Sequence, residues 1–162
     1  MKRKYPLLLG ILAIWLVVPV SWAYDAQMAG RFAELFEPVQ GARAGKALHL
    51  IAPEELVRLV KQGERVVALD VRTPAELGIC GMTTPDALSI PINVLFKPEN
   101  LDRVPTDRKV VVVCASGTRA TAAGIALRQV GFENVYVLKG GLNALAGYLN
   151  PKTANMPLAS AN

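Results

Sequence analysis

Histidine is almost absent: His49 stands alone in a chain of 162 residues. One imidazole cannot build a histidine metal cluster, so no metal is expected and His49 is given no role. Its alternation with Leu48 and Leu50 reads as a solvent-facing strand position. Cysteine is nearly as scarce, with Cys80 and Cys114 alone. Beyond residue 23 no run of basic residues occurs, which removes the electrostatic footprint of a nucleic-acid binder. No internal repeat is found either, so the chain reads as a single unit.

Charge is missing from another stretch. Residues 6–23 carry none, and Lys2, Arg3 and Lys4 precede them. An apolar core at 7–18 and the small-x-small site Ser21-Trp22-Ala23 complete the pattern of a secretory signal peptide at residues 1–23. The competing reading is membrane anchorage through residues 6–23, whose 18 residues barely suffice to span. Pro19, which breaks a helix just before the cleavage site, favours the signal peptide. The expected location is therefore an exported, periplasmic one; the alternative is an inner-membrane anchor facing the periplasm. Cleavage would remove the three cations Lys2, Arg3 and Lys4 and lower the formal charge from +5 to +2. The 139 residues left can bury one ordinary core. Both cysteines remain, in a compartment where disulfides persist, and their relationship stays open.

The most informative stretch is Cys114-Ala115-Ser116-Gly117-Thr118-Arg119. Four valines, Val110 to Val113, precede it and read as a strand buried on both faces. A helical pattern follows from Thr118 to Val130 and ends at Gly131. The cysteine thus stands at the carboxyl end of a buried strand, on a tight loop feeding a helix N-terminus. Free N–H groups there, with the helix dipole and the Arg119 cation, favour a sulfur anion, which is the nucleophilic form.

Cys-x-x-Gly-x-Arg after a valine run resembles the active-site loop of rhodaneses, the thiosulfate sulfurtransferases. Three further stretches agree. Residues 68–76 resemble the family's Asp-x-Arg-x-x-x-Glu segment, through Asp70, Arg72 and Glu76. Residues 85–91 resemble its Pro-Gly-Ala-x-Asn-Ile-Pro segment, and residues 135–141 its closing strand and Gly-Gly turn. The resemblance covers residues 47–149. It implies an α/β fold, a rhodanese-like open parallel five-stranded sheet with helices on both faces. It also implies Cys114 as the catalytic residue, with Ala115, Ser116, Gly117, Thr118 and Arg119 as the substrate-binding loop, and no cofactor. Asp70, Arg72 and Glu76 carry over as structural residues.

The chain departs from the family at three places. Thr83-Thr84 stands where Gly-His-Ile normally ends, and the spacing from Glu76 is about two residues longer, around Gly78-Ile79-Cys80-Gly81. Ala115 occupies a position often basic, which leaves room for a persulfide donor beside thiosulfate. Ala144 or Leu145 replaces a common Trp.

Local patterns fill in the rest. Residues 24–46 read as an amphipathic helical extension carrying Met28, Phe32, Leu35, Phe36 and Val39, stopped by Pro38, followed by a connector. Strands are expected at 47–51, 66–71, 88–92, 109–113 and 135–138. A helix after Pro53 buries Leu56, Val57, Leu59 and Val60. Arg72 and Glu76, four apart, are placed to pair. One helical turn is expected within 96–104, a last helix at 141–149, and a loose tail at 150–162.

Three chemistries compete. In sulfur transfer, Cys114 takes sulfane sulfur from a small sulfur-anion or persulfide donor and passes it to a thiol or cyanide acceptor. A cysteine phosphatase would need Cys-x5-Arg, whereas Cys114 and Arg119 make Cys-x4-Arg, with no acid in the loop. A non-enzymatic thiol-redox or sulfur-carrier module would use Cys114 with Cys80. In the enzyme, Cys80 is a candidate resolving thiol, since the resemblance sets the strand end near Arg72 beside the one at Cys114.

Overall fold

The computed structural model describes residues 23–157. The expected targeting or anchoring segment, apart from Ala23, lies outside the described residues, as do residues 158–162 of the tail. Among the described residues, no helix is long and apolar enough to cross a membrane.

In chain order the elements are α1 Ala26–Phe36, α2 Ala44–Ala47, β1 Leu50–Ile51, α3 Pro53–Lys61, β2 Val66–Asp70, α4 Pro74–Leu77, β3 Leu88–Ser89, α5 Ile92–Leu95 and α6 Pro98–Leu101. Then follow β4 Lys109–Val113, α7 Thr118–Gln129, β5 Val135–Leu138, α8 Gly141–Tyr148 and α9 Pro151–Asn155. Five strands form one sheet in the order β1-β5-β4-β2-β3, and every pairing is parallel. The fold is α/β with helices on both faces, as the sequence led us to expect.

The valine run explains why β4 sits at the centre. A parallel central strand buries both faces, and β-branched side chains suit that surface. Val110, Val112 and Cys114 face a cluster with Ala120, Ala123 and Leu127 of α7. Val111 and Val113 face the opposite cluster with Leu56 and Leu59 of α3 and Leu145 of α8. Asp70 pairs in register with Val113, so the carboxyl ends of β2 and β4 lie side by side.

Several local expectations need correction. His49 is not a solvent-facing strand residue. Its φ is +56°, its Nδ1 lies 3.0 Å from the Val135 carbonyl, and its ring stacks on Tyr136. Burial pushes its imidazole below the ordinary value. The first strand shrinks to two residues because Ala47 ends α2, a short helix inside the expected connector. The third strand also stops early, since Pro91 turns the chain into α5, while the helical turn expected within 96–104 forms as α6.

Val60 is 41% exposed and not part of the buried stripe of α3. The tail is tied down as far as Met156. Asn150 and Thr153 cap α9 reciprocally, and Lys61 donates to the Thr153 and Met156 carbonyls. Helix α1 forms as expected and meets α7, with Gln129 donating to the Arg31 carbonyl, but buries none of its residues.

Candidate functional site

Strand β4 delivers Cys114 to the sheet's carboxyl edge, where the residue is 1% exposed. The chain then turns through Ala115 and Ser116 to Gly117, whose φ of +94° makes it the N-cap of α7. This turn aims backbone N–H groups at the sulfur. Cys114 Sγ accepts from the Gly117 N–H at 3.1 Å and the Ala120 N–H at 3.4 Å. Ser116 and Thr118 stand exposed at the loop mouth, their hydroxyls 3.4 Å apart.

A second helix start holds the loop from behind. The Leu142 N–H donates to the Cys114 carbonyl at 2.8 Å, and the Asn143 N–H to the Ala115 carbonyl at 3.0 Å. These are first-turn donors of α8 that have no partner within their own helix. With the carbonyls drawn toward α8, the loop N–H groups are left to face the sulfur. Gly141 allows this approach, because a Cβ there would lie 2.7 Å from both the Ala115 carbonyl oxygen and the Gly117 nitrogen.

Arg119 also has a carboxylate partner. Its Nη1 and Nη2 donate to Glu76 Oε2 and Oε1 at 2.8 and 2.6 Å. Glu76 also accepts from the Thr73 N–H and hydroxyl, closing the capping box of α4. The Arg119 guanidinium and the Thr73 donors hold the Glu76 carboxyl well below the usual carboxylate range. The same pairing raises Arg119, with a smaller contribution from Cys114.

Arg72 does not pair with Glu76. It folds back on Asp70, with Nε 3.0 Å from Oδ1 and Nη2 2.7 Å from Oδ2, in a pair that is all but buried. Its spare capacity reaches the lengthened loop. Nη2 donates to the Cys80 carbonyl at 2.6 Å, and Nη1 lies 3.6 Å from Cys80 Sγ.

The loop residues from Cys114 to Arg119 are therefore brought together, and Cys80 lies on the neighbouring loop, its N–H donating to the Glu76 carbonyl. Cys114 Sγ belongs to the α7 face, whereas Cys80 lines a groove against α3 and α8 on the other. Both thiols are free. Glu76 and the Gly140-Gly141 turn join the site, which the motif reading had treated as framework. A carboxylate placed six residues after the last residue of β2 carries no sign of the partner it will meet across the sheet edge. Among the described residues no His, Cys, Asp and Glu cluster is suited to a metal. The arrangement can hold negative charge on a buried sulfur at the mouth of a helix.

Proteins similar to this chain include sulfurtransferases. The Sulfurtransferase of Allochromatium vinosum is 38% identical over 104 residues, 64% of this chain and 94% of that protein. The probable adenylyltransferase/sulfurtransferase MoeZ of Mycobacterium tuberculosis is 33% identical over 101 residues, 62% of this chain but only 25% of that longer protein. Among solved structures, a rhodanese-related protein from Thermoplasma volcanium has a TM-score of 0.54 and 29% identity, covering 64% of this chain and 95% of that one. The rhodanese match and these sulfurtransferase-named relatives support sulfurtransferase activity in general. Residues 52–147, from the start of α3 into α8, match the Rhodanese-like domain, and the chain belongs to that family.

Proposed function

We propose that the chain moves sulfane sulfur from a small donor to a nucleophilic acceptor through a persulfide on Cys114. The observation that carries this reading is the pair of backbone N–H groups directed at Cys114 Sγ. The Cys114 thiolate attacks the outer sulfur of the donor. A new S–S bond forms, the donor's S–S bond breaks, and the electron pair leaves on sulfite or a thiolate. The loop N–H groups then face the terminal persulfide sulfur. A thiol or cyanide attacks that sulfur, and the pair returns to Cys114. Every step uses side chain and backbone groups of this chain, without a cofactor.

Donor charge follows from Arg119. Glu76 offsets its cation and Ala115 adds none, so the loop suits a monoanionic persulfide better than dianionic thiosulfate. Parallel assays with thiosulfate and with a low-molecular-weight thiol persulfide, each with excess cyanide, test this. A higher kcat/KM for the persulfide is expected, and thiosulfate as the better donor contradicts it. We further propose, from the pattern at residues 1–23, that the protein acts after export, in a periplasmic compartment. N-terminal sequencing of the protein from its native host tests this: a start at Tyr24 supports cleavage, and an intact N-terminus in the cytosolic fraction overturns export.

A further inference from the structure

Away from the Cys114 cradle, α3, α8 and residues 80–84 enclose a groove of about 490 Å³. That volume lies within the range of small-molecule sites. Leu56 and Val60 form one wall, Leu142 and Leu145 the other, and Met82 closes one side. Lys61 stands at the rim, but its ammonium is directed to the Thr153 and Met156 carbonyls. One thiol and two hydroxyls interrupt the apolar lining, those of Cys80, Thr83 and Thr84. Cys80 is exposed, and its free Sγ has the Arg72 Nη1 beside it. Thr84 Oγ1 is the one buried side-chain nitrogen or oxygen among the described residues with no hydrogen-bond partner. An unsatisfied buried hydroxyl is costly unless something completes it.

These features lie together where the chain is longest relative to the family pattern. We propose that the groove binds an aliphatic compound carrying a sulfur–sulfur bond, an alkyl disulfide or persulfide, with its chain on the apolar walls and its sulfur at Cys80. Cys80 gives its proton to water, and its thiolate attacks one sulfur of the bound compound. A bond forms between that sulfur and Cys80 Sγ as the original S–S bond breaks. The electron pair leaves on the departing sulfur, which takes a proton from water. No external oxidant or reductant enters. The site is separate from Cys114, so it stands or falls independently of the proposed transfer reaction.

Alkyl methanethiosulfonates probe the site directly, since their sulfenyl sulfur reacts with a thiol and releases methanesulfinate. Rates of Cys80 modification of the full chain are read by peptide mass spectrometry for the methyl, propyl and hexyl reagents. Each is divided by the rate with N-acetylcysteine. Every methylene that leaves water is worth about fourfold in affinity. Three methylenes, only partly enclosed, should make hexyl at least roughly tenfold faster than propyl at Cys80. Val60→Asp should lower the hexyl rate about fivefold or more and leave the methyl rate unchanged, on the same scale. Ala146→Asp, at an exposed position of the same groove, provides a second variant should the first be unfolded by circular dichroism. Equal rates along the series, or a chain-length gain that survives the groove variants, would overturn the proposal.

Discussion

Gly141→Ala separates the architecture of the site from ordinary backbone strain. Gly141 sits at φ +60°, and a methyl there would press on the Cys114 and Ala115 carbonyls and the Gly117 nitrogen. Left-handed backbone costs an L-residue about 1–2 kcal/mol. Crowding against fixed backbone adds about 1–3 kcal/mol. The sum, about 2–5 kcal/mol, is a large share of a typical domain's stability. Gly63→Ala is the matched control, because Gly63 has φ +78° and open space around its missing Cβ. It should lose about 1 kcal/mol after the gain from a stiffer unfolded chain. Urea melts measure both, and sulfur-transfer turnover per folded molecule is read alongside. Turnover should be normal in Gly63→Ala and fall by up to about 10²-fold in Gly141→Ala, since the loop N–H groups are moved off the sulfur. Equal stability and equal turnover in the two variants would refute the claim that α8 braces the cysteine loop.

Arg72→Ala should cost about 3–5 kcal/mol in urea melts, because it strands the buried Asp70 carboxylate; it should also loosen the loop around Cys80, seen as faster exchange at residues 78–81. The Arg119–Glu76 pair gives a pH signature. Glu76 titrates below its ordinary 4.5 in the folded protein, so its stabilisation is complete above that range and is lost as pH falls beneath it. The stability advantage of the native chain over Glu76→Gln should therefore be constant from pH 7 to 5 and shrink below pH 4.5; a difference that vanishes by pH 6 contradicts the pairing. Freeing Arg119 with Glu76→Gln should also raise thiosulfate kcat/KM relative to a persulfide donor, and an unchanged ratio would show that Glu76 does not set donor charge.

The sheet was legible because its strands announce themselves. Val110 to Val113 can hardly be anything but a buried strand, and Gly117 after Cys114 marks the turn into α7. Cys114 and its loop were readable for the same reason, being contiguous in sequence. What escaped was non-contiguous. Arg119 meets Glu76 43 residues earlier, and Leu142 reaches back to the Cys114 carbonyl. Such contacts depend on strand order, which periodicity does not encode. His49 escaped through its left-handed backbone, which breaks the alternation that Leu48 and Leu50 suggest. The tail escaped because Lys61, a residue from another helix, is what anchors it.

Mass spectrometry of the Cys114 peptide tests the central claim most directly. The purified protein is treated with a persulfide or thiosulfate donor, freed of excess donor and measured before and after cyanide. One added sulfur on Cys114, removed by cyanide with stoichiometric thiocyanate and absent from Cys114→Ser, is the predicted result. Turnover that persists in Cys114→Ser, or that proceeds in the native chain with no added sulfur on Cys114, would contradict it.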